Sequence, residues 1–355
     1  MNIYKWMQFT VLATVLTSPF SAAAEFVDVL DSPAQASKLA HHNMLIGLAQ
    51  AGERMVAVGQ RGHILYSDDI EQGWQQARVP VSSDLVAVHF PTAQQGWAVG
   101  HDGVVLHSSD GGHSWARQLD GRQVGTLVRD HYQALADQDP SDERWAGLVA
   151  EGERLIDEGA DKPFLDVWFA NEQVGYIVGA FNLIFRTTDG GQNWIPWLER
   201  TDNHEAFNLY AINRVGNELF IVGEQGLILK LDPVAEHFTA TSTPYRGTFF
   251  GITGDSRVAL AFGLRGNAYR SVDGGANWKP VDLSLNSSIT SGTVAADGRV
   301  ILVSQGGHVL VSQDNAASFQ LLARHSLGIV AAARFSKPDV LTMAGTRGVR
   351  AFPMQ

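Results

Sequence analysis

Val99–Trp115 reads VGHDGVVLHSSDGGHSW, and related phrases open at Val58 (VGQRGHILYSDD), Val178 (VGAFNLIFRTTDGGQNW), Val222 (VGEQGLILKLD), Phe262 (FGLRGNAYRSVDGGANW), Val303 (VSQGGHVLVSQDNAASF) and Ala344 (AGTRGVRAF). The opening glycines are Gly59, Gly100, Gly179, Gly223, Gly263 and Gly345, with Ser304 in the sixth copy, at intervals of 41, 79, 44, 40, 41 and 41 residues. Within each copy an apolar run precedes the glycine and an alternating run follows it, which reads as two strands joined by a tight hairpin. A further apolar strand lies upstream (DLVAVHF, FLDVWFA, FNLYAIN) and a fourth follows the DGGxxW turn (ARQL, IPWLE, KPVDL). Four short strands in about 40 residues, without crossover helices, is the pattern of a propeller blade. The expectation is an all-β fold, a seven-bladed β-propeller.

The long second interval holds residues 121–163, where the period changes. Leu127, Val128, Tyr132 and Leu135, then Trp145, Leu148, Val149, Leu155 and Ile156, recur at helical spacing, with Ser141 in a capping position. A helical-hairpin insertion between blades two and three follows, either a tolerated surface insertion or a lid or docking arm. The seventh copy ends near Phe352 and lacks an outer strand. An open edge invites pairing, so Glu25–Leu30 (EFVDVL) is expected to supply the strand that closes the ring.

Residues 1–24 read as a secretory signal peptide: Lys5, an apolar stretch from Trp6 to Leu16, then Ala22-Ala23-Ala24 with cleavage before Glu25. Residues 25–355 then form a single propeller domain, expected in a periplasm as a monomer. No cysteine is present, so neither disulfides nor a cysteine-linked lipid anchor is expected, and membrane association is peripheral at most. The formal charge of −11 becomes −12 without Lys5. Such an acidic domain argues against nucleic acid, whose phosphates need a basic surface.

Three complete SxDGGxxW phrases place Ser108, Asp110, Gly112 and Trp115; Thr187, Asp189, Gly191 and Trp194; and Ser271, Asp273, Gly275 and Trp278. They resemble the Asp-box of sialidase-type repeats. The aspartate is expected to accept the turn's own N–H groups, the glycines to supply positive φ, and the tryptophan to pack between blades. These are structural roles. The alternative is a glycoside hydrolase or carbohydrate-binding propeller, which needs opposed carboxylates, for which Asp102, Glu205 and Glu224 are the candidates. The sequence shows no early arginine motif of the sialidase kind, and His41, His42, His63, His101, His107 and His113 have no metal-ligand spacing. No catalytic residue, metal or cofactor is expected.

The hairpin phrase GxRG recurs at Arg61, Arg265 and Arg347. In an acidic protein, three guanidinium groups at equivalent turns suggest an anion-recognising face, unless each bonds a neighbouring turn carbonyl. The signal peptide, the whole-chain ring, the GxRGxIxxSxDGGxxW phrase and these arginines together resemble the photosystem II assembly/stability factor family and its non-photosynthetic bacterial relatives. The likeness is most specific in Gly59–Ser67, Gly263–Trp278 and Gly345–Gly348. It implies a non-enzymatic scaffold that binds a membrane protein, partly through Arg61, Arg265 and Arg347. The insertion at 121–163 departs from the compact photosynthetic pattern and so from its photosystem partner; the resemblance to non-photosynthetic relatives, which are similar to factors associated with exporters of the RND type, implies an envelope membrane complex as the partner.

Overall fold

The computed structural model describes residues 27–354. The expected signal peptide, its cleavage site, and Glu25 and Phe26 lie outside the described residues. Seven antiparallel sheets follow one another along the chain, six of four strands and the last of three. Their first strands begin at Leu45, Leu85, Phe164, Leu209, Phe249, Ile289 and Val330. These strands are innermost, each beside the next, and the last lies beside the first, so the sheets form a closed propeller.

The apolar runs before each hairpin become second strands, such as Arg54–Gly59 and Gly175–Gly179, that are buried on both faces. Burial on both sides explains their nearly continuous hydrophobicity. Packing between sheets includes Trp97 stacked on Phe169 of the following sheet, ring centroids 3.6 Å apart.

The hairpin glycine has an extended backbone, with φ near −173° at Gly59 and Gly100. Glycine is needed there for close approach: a Cβ at Gly59, Gly100 or Gly263 would run into the carbonyl oxygens of Met44, Asp84 and Thr248. Ser304 replaces it in sheet six, fully buried, with its Oγ bonded to His308 Nδ1 at 2.9 Å.

An innermost strand has one edge without a strand partner, so its peptide groups need other partners. Side chains supply them at five junctions between consecutive first strands. His89 Nδ1 accepts from Phe169 N (3.2 Å), and Asp166 Oδ2 accepts from Ile212 N (2.9 Å). Asn213 Nδ2 donates to Ile252 O (2.9 Å), and Ser291 Oγ accepts from Ala333 N (2.9 Å). Arg334 Nε donates to Leu48 O (3.3 Å), tying sheet seven to sheet one.

Closure of the ring departs from the expected N-terminal strand. Sheet seven ends at its third strand, Gly348–Pro353, and Val27–Leu30 do not pair with it. Asp28 instead folds the chain into a turn, its Oδ1 accepting from Leu30 N (2.9 Å) and its carbonyl from Asp31 N (3.0 Å). Leu30 then joins a buried cluster with Val79 and Val81 of the connection between sheets one and two and Val104 of the sheet-two hairpin, and Ser82 N donates to Val29 O (2.8 Å). Burying Leu30 in a ready apolar seam is favoured over adding one short exposed strand. The segment still contributes to closure further along. A Cβ on Gly348 would strike the His41 carbonyl, just as one on Gly266 or Gly307 would strike Leu285 or His325 in the connection to the next sheet. Residues 37–43 therefore occupy the place of the connection from sheet seven to sheet one.

The interval at 121–163 forms two helices, α1 (Gly121–Gln138) and α2 (Arg144–Glu158). Asp120 caps α1, with Oδ1 accepting from Arg122 N and Gln123 returning a bond to Asp120 N. Ser141 does not cap α2. Its hydroxyl donates to Asp139 (2.6 Å), and Asp142 Oδ1 accepts from Arg144 N (3.1 Å). Gly125 and Gly152 let the helices approach to backbone contact, with Ile156 N and Arg129 N as the facing atoms. The pair packs on sheet three, with α1 against its short outer strand Ile195–Pro196. Buried Tyr132 fixes it there, donating to Glu199 Oε2 (2.6 Å) and accepting from Leu198 N (2.9 Å). Covering an outer sheet edge is a stabilising role for an insertion.

Candidate functional site: the hairpin face

One face of the propeller is made by the hairpins between second and third strands. At their tips stand Arg61, Asp102, Phe181, Gln225 and Arg265, all in the left-handed backbone region with φ between 53° and 57°. A non-glycine residue is seldom found there, and its recurrence holds each side chain at the same point of the turn. Arg347 differs from the expected equivalence. Gly345 pairs directly with Gly348, so Arg347 sits in a tighter two-residue turn on the same face.

Arg61, Arg265 and Arg347 are all exposed. Backbone bonds fix the turns: Arg61 N donates to Asp84 Oδ1 (2.8 Å) and Arg265 N to Ser288 Oγ (3.2 Å). Among the described residues, none of the three guanidinium groups has a hydrogen bond or salt bridge, whereas Arg54, Arg122, Arg144 and Arg154 are all paired with carboxylates. The alternative of bonding to a turn carbonyl is therefore not what the structure shows. Sheets seven and one adjoin, which makes Arg347 and Arg61 neighbours on the ring, with Arg265 two sheets from Arg347.

Of the candidate carboxylates, Glu205 is exposed in the connection between sheets three and four. Glu224 is held by Asn208, just before the first strand of its sheet, accepting from Asn208 N (2.9 Å) and Asn208 Nδ2 (3.2 Å), and Asp102 is a hairpin tip. Among the described residues no three His, Asp or Glu side chains gather at metal-binding distance.

The Asp-box turns lie at the opposite ends of the third strands. In the first, Ser108 Oγ donates to Asp110 Oδ1 (2.9 Å), Gly112 N donates to Ser108 Oγ (2.9 Å), and Ser114 N and Oγ donate to the two carboxylate oxygens. Trp115 Nε1 donates to Gly112 O (3.2 Å) while its ring meets Phe90 edge-on. Thr187, Asp189 and Gly191 repeat the pattern, and Trp194 meets Phe169 of its own sheet. Ser271, Asp273 and Gly275 repeat it again, with Trp278 against Phe220 of the preceding sheet. The Asn277 side-chain amide, then its backbone N–H, hold the Asp273 carboxyl down to about 2.

Polar side chains also stand among the innermost strands, where the apolar pattern of the sequence does not announce them. Desolvation pushes Asp166 up to about 7, against the pull of the Ile212 and Val167 N–H bonds and the Arg334 charge. Burial likewise lowers His89 to about 3. The signal for Asp166 is a break in that pattern, FLDVWFA, where an aspartate interrupts a strand of otherwise apolar residues.

A family model described as "Photosynthesis system II assembly factor YCF48" matches residues 39–129 and 153–327, interrupted within the helical insertion. The photosystem II assembly lipoprotein Ycf48 of Synechococcus sp. (strain CC9902) is 30% identical over 119 residues, covering 32% of this chain and 35% of its own length. The photosystem II stability/assembly factor HCF136, chloroplastic, of Oryza sativa subsp. japonica is 25% identical over 214 residues, covering 52% and 50%. The matches thus span about a third to a half of these relatives. Among solved structures, YCF48 bound to D1 peptide superposes with a TM-score of 0.64 at 15% identity, covering 89% of this chain and 94% of that one. The WD40 propeller domain of Doa1 gives 0.63 at 9% identity, covering 92% and 96%, so at this level the likeness is one of fold. With the family model spanning most of the ring and its repeated hairpins, the chain belongs to the YCF48 photosystem II assembly factor family.

Proposed function

We propose that this protein is a non-enzymatic assembly factor, exported to a periplasm, whose seven-bladed ring binds a membrane protein through the hairpin face. The observation that carries the reading is the set of three exposed, unpaired guanidinium groups at Arg61, Arg265 and Arg347, in a protein whose net charge is −11. Guanidinium forks suit carboxylates, and on an acidic protein they select a partner segment of negative charge. The names of the relatives support an assembly role, and the YCF48 structure with a D1 peptide supports recognition of a membrane-protein segment. An envelope complex such as an RND-type exporter is the proposed partner class, with the chain acting as a monomer cleaved between Ala24 and Glu25. The Asp-box residues serve the fold on the other face.

The test is cross-linking and affinity capture from envelope membranes, comparing the wild type with the triple variant Arg61→Glu/Arg265→Glu/Arg347→Glu. A defined membrane protein retained by the wild type, lost by the variant and weakened by salt supports the reading. Capture of the same protein by both overturns it.

A further inference from the structure

The seam between sheets seven and one carries a second feature of the same face. Residues 32–43, 59–63, 324–329 and 345–350 contain Lys38, Arg61, Arg324, Arg347 and Arg350 and no aspartate or glutamate. Contacts join these segments into one surface. His63 Nδ1 bonds Asn43 Nδ2 (3.2 Å), Gly348 lies against the His41 carbonyl, and Thr346 Oγ1 accepts from Ile329 N (3.0 Å). A cavity beside Arg61, roofed by the N-terminal segment and lined by Val29, Gln35, Ser37, Asn43 and Ser82, also holds no carboxylate. Of the acids at its edge, Asp84 has its Oδ1 engaged by the Arg61 N–H, Asp28 has its Oδ1 engaged by the Leu30 N–H, and Asp31 is paired with Arg117 and Arg122.

Two large aliphatic side chains stand out of this surface: Leu39, 64% exposed, and Ile329, 58% exposed. An acidic peptide would pair the cations and leave the aliphatics in water. A bilayer interface accepts both, with headgroup phosphates meeting Lys38, Arg61 and Arg347 and the aliphatic tips entering the headgroup boundary. We infer that this seam docks the propeller peripherally on an anionic phospholipid surface. The inference goes beyond the protein partner proposed above, although Arg61 and Arg347 take part in both.

Flotation of the purified protein with vesicles of phosphatidylglycerol and phosphatidylcholine in equal parts, against phosphatidylcholine alone, tests it. The wild type is expected to float with the anionic vesicles at low salt and to be released as salt rises. Leu39→Asp/Ile329→Asp is expected to lower partition by about tenfold or more with an unchanged melting temperature, because both side chains are exposed. Arg61→Gln and Arg347→Gln are each expected to lower it by about fivefold. A wild type that stays at the bottom of the gradient, or a Leu39→Asp/Ile329→Asp variant that floats equally well, overturns the inference. Failure to float, combined with arginine-dependent capture of a membrane protein, would sink the lipid surface alone and leave the protein-partner reading standing.

Discussion

Asp166 of sheet three accepts a hydrogen bond from the Ile212 amide of sheet four at 2.9 Å, across an edge where neither strand has a strand partner. The carboxyl is held inside the ring, where desolvation raises it to about 7 from an ordinary 3.8. The native state therefore holds the proton more tightly than the unfolded chain. The favourable contribution is complete below about pH 3.8 and is lost as pH rises through 7. Thermal melts between pH 5 and 8.5 should show Tm falling by a few degrees across neutrality, and Asp166→Asn, which keeps an acceptor and removes the titration, should flatten that slope. An identical slope in the variant would assign the pH dependence elsewhere.

Asp273 works in the opposite direction. Asn277 holds its carboxyl down to about 2, so its stabilising contribution is present above the ordinary 3.8 and is lost as pH falls through 2. Asp273→Ala should lower Tm at neutral pH and reduce the further loss seen on acidification. Because the turn lies away from the hairpin face, capture of the partner should be unchanged in the folded variant.

Gly348 has φ of 88° and faces the His41 carbonyl so closely that any Cβ must displace backbone. Gly348→Ala should cost about 2 kcal/mol or more, the sum of a left-handed backbone penalty and a displaced closure segment. Urea unfolding measures it. The loss should be accompanied by faster amide exchange in residues 37–43, the segment that stands in for a connection between sheets seven and one.

Tyr132 links the helical insertion to the ring through one donated and one accepted bond. Tyr132→Phe leaves the Leu198 amide and the Glu199 carboxylate without that partner, at a cost of about 1–3 kcal/mol. Burial and the neighbouring Glu199 charge raise the phenol above its ordinary range, so the native bond should persist under alkaline conditions. If limited proteolysis of residues 121–163 is no faster in the variant, the anchor assigned to Tyr132 is wrong.

The repeat, the two-strand hairpins, the Asp-box turns and the helical period of residues 121–163 are all legible in the amino-acid order. Each depends on local backbone chemistry: glycine where a carbonyl crowds the chain, serine and aspartate where turn amides need acceptors, apolar periodicity where one element packs. The arginine positions were legible as well, but that their guanidinium groups lack partners is a property of neighbours from other sheets. The route of Val27–Leu30 depends on long-range packing, where one turn at Asp28 and a waiting apolar seam prevailed over the open edge of sheet seven. So does the use of Asp166, Asn213 and Arg334 as links between innermost strands, and of Tyr132 as an anchor. Leu48 and Arg334 are 286 residues apart in the chain. Nothing local to either residue reports their contact, because it exists only once the ring has closed.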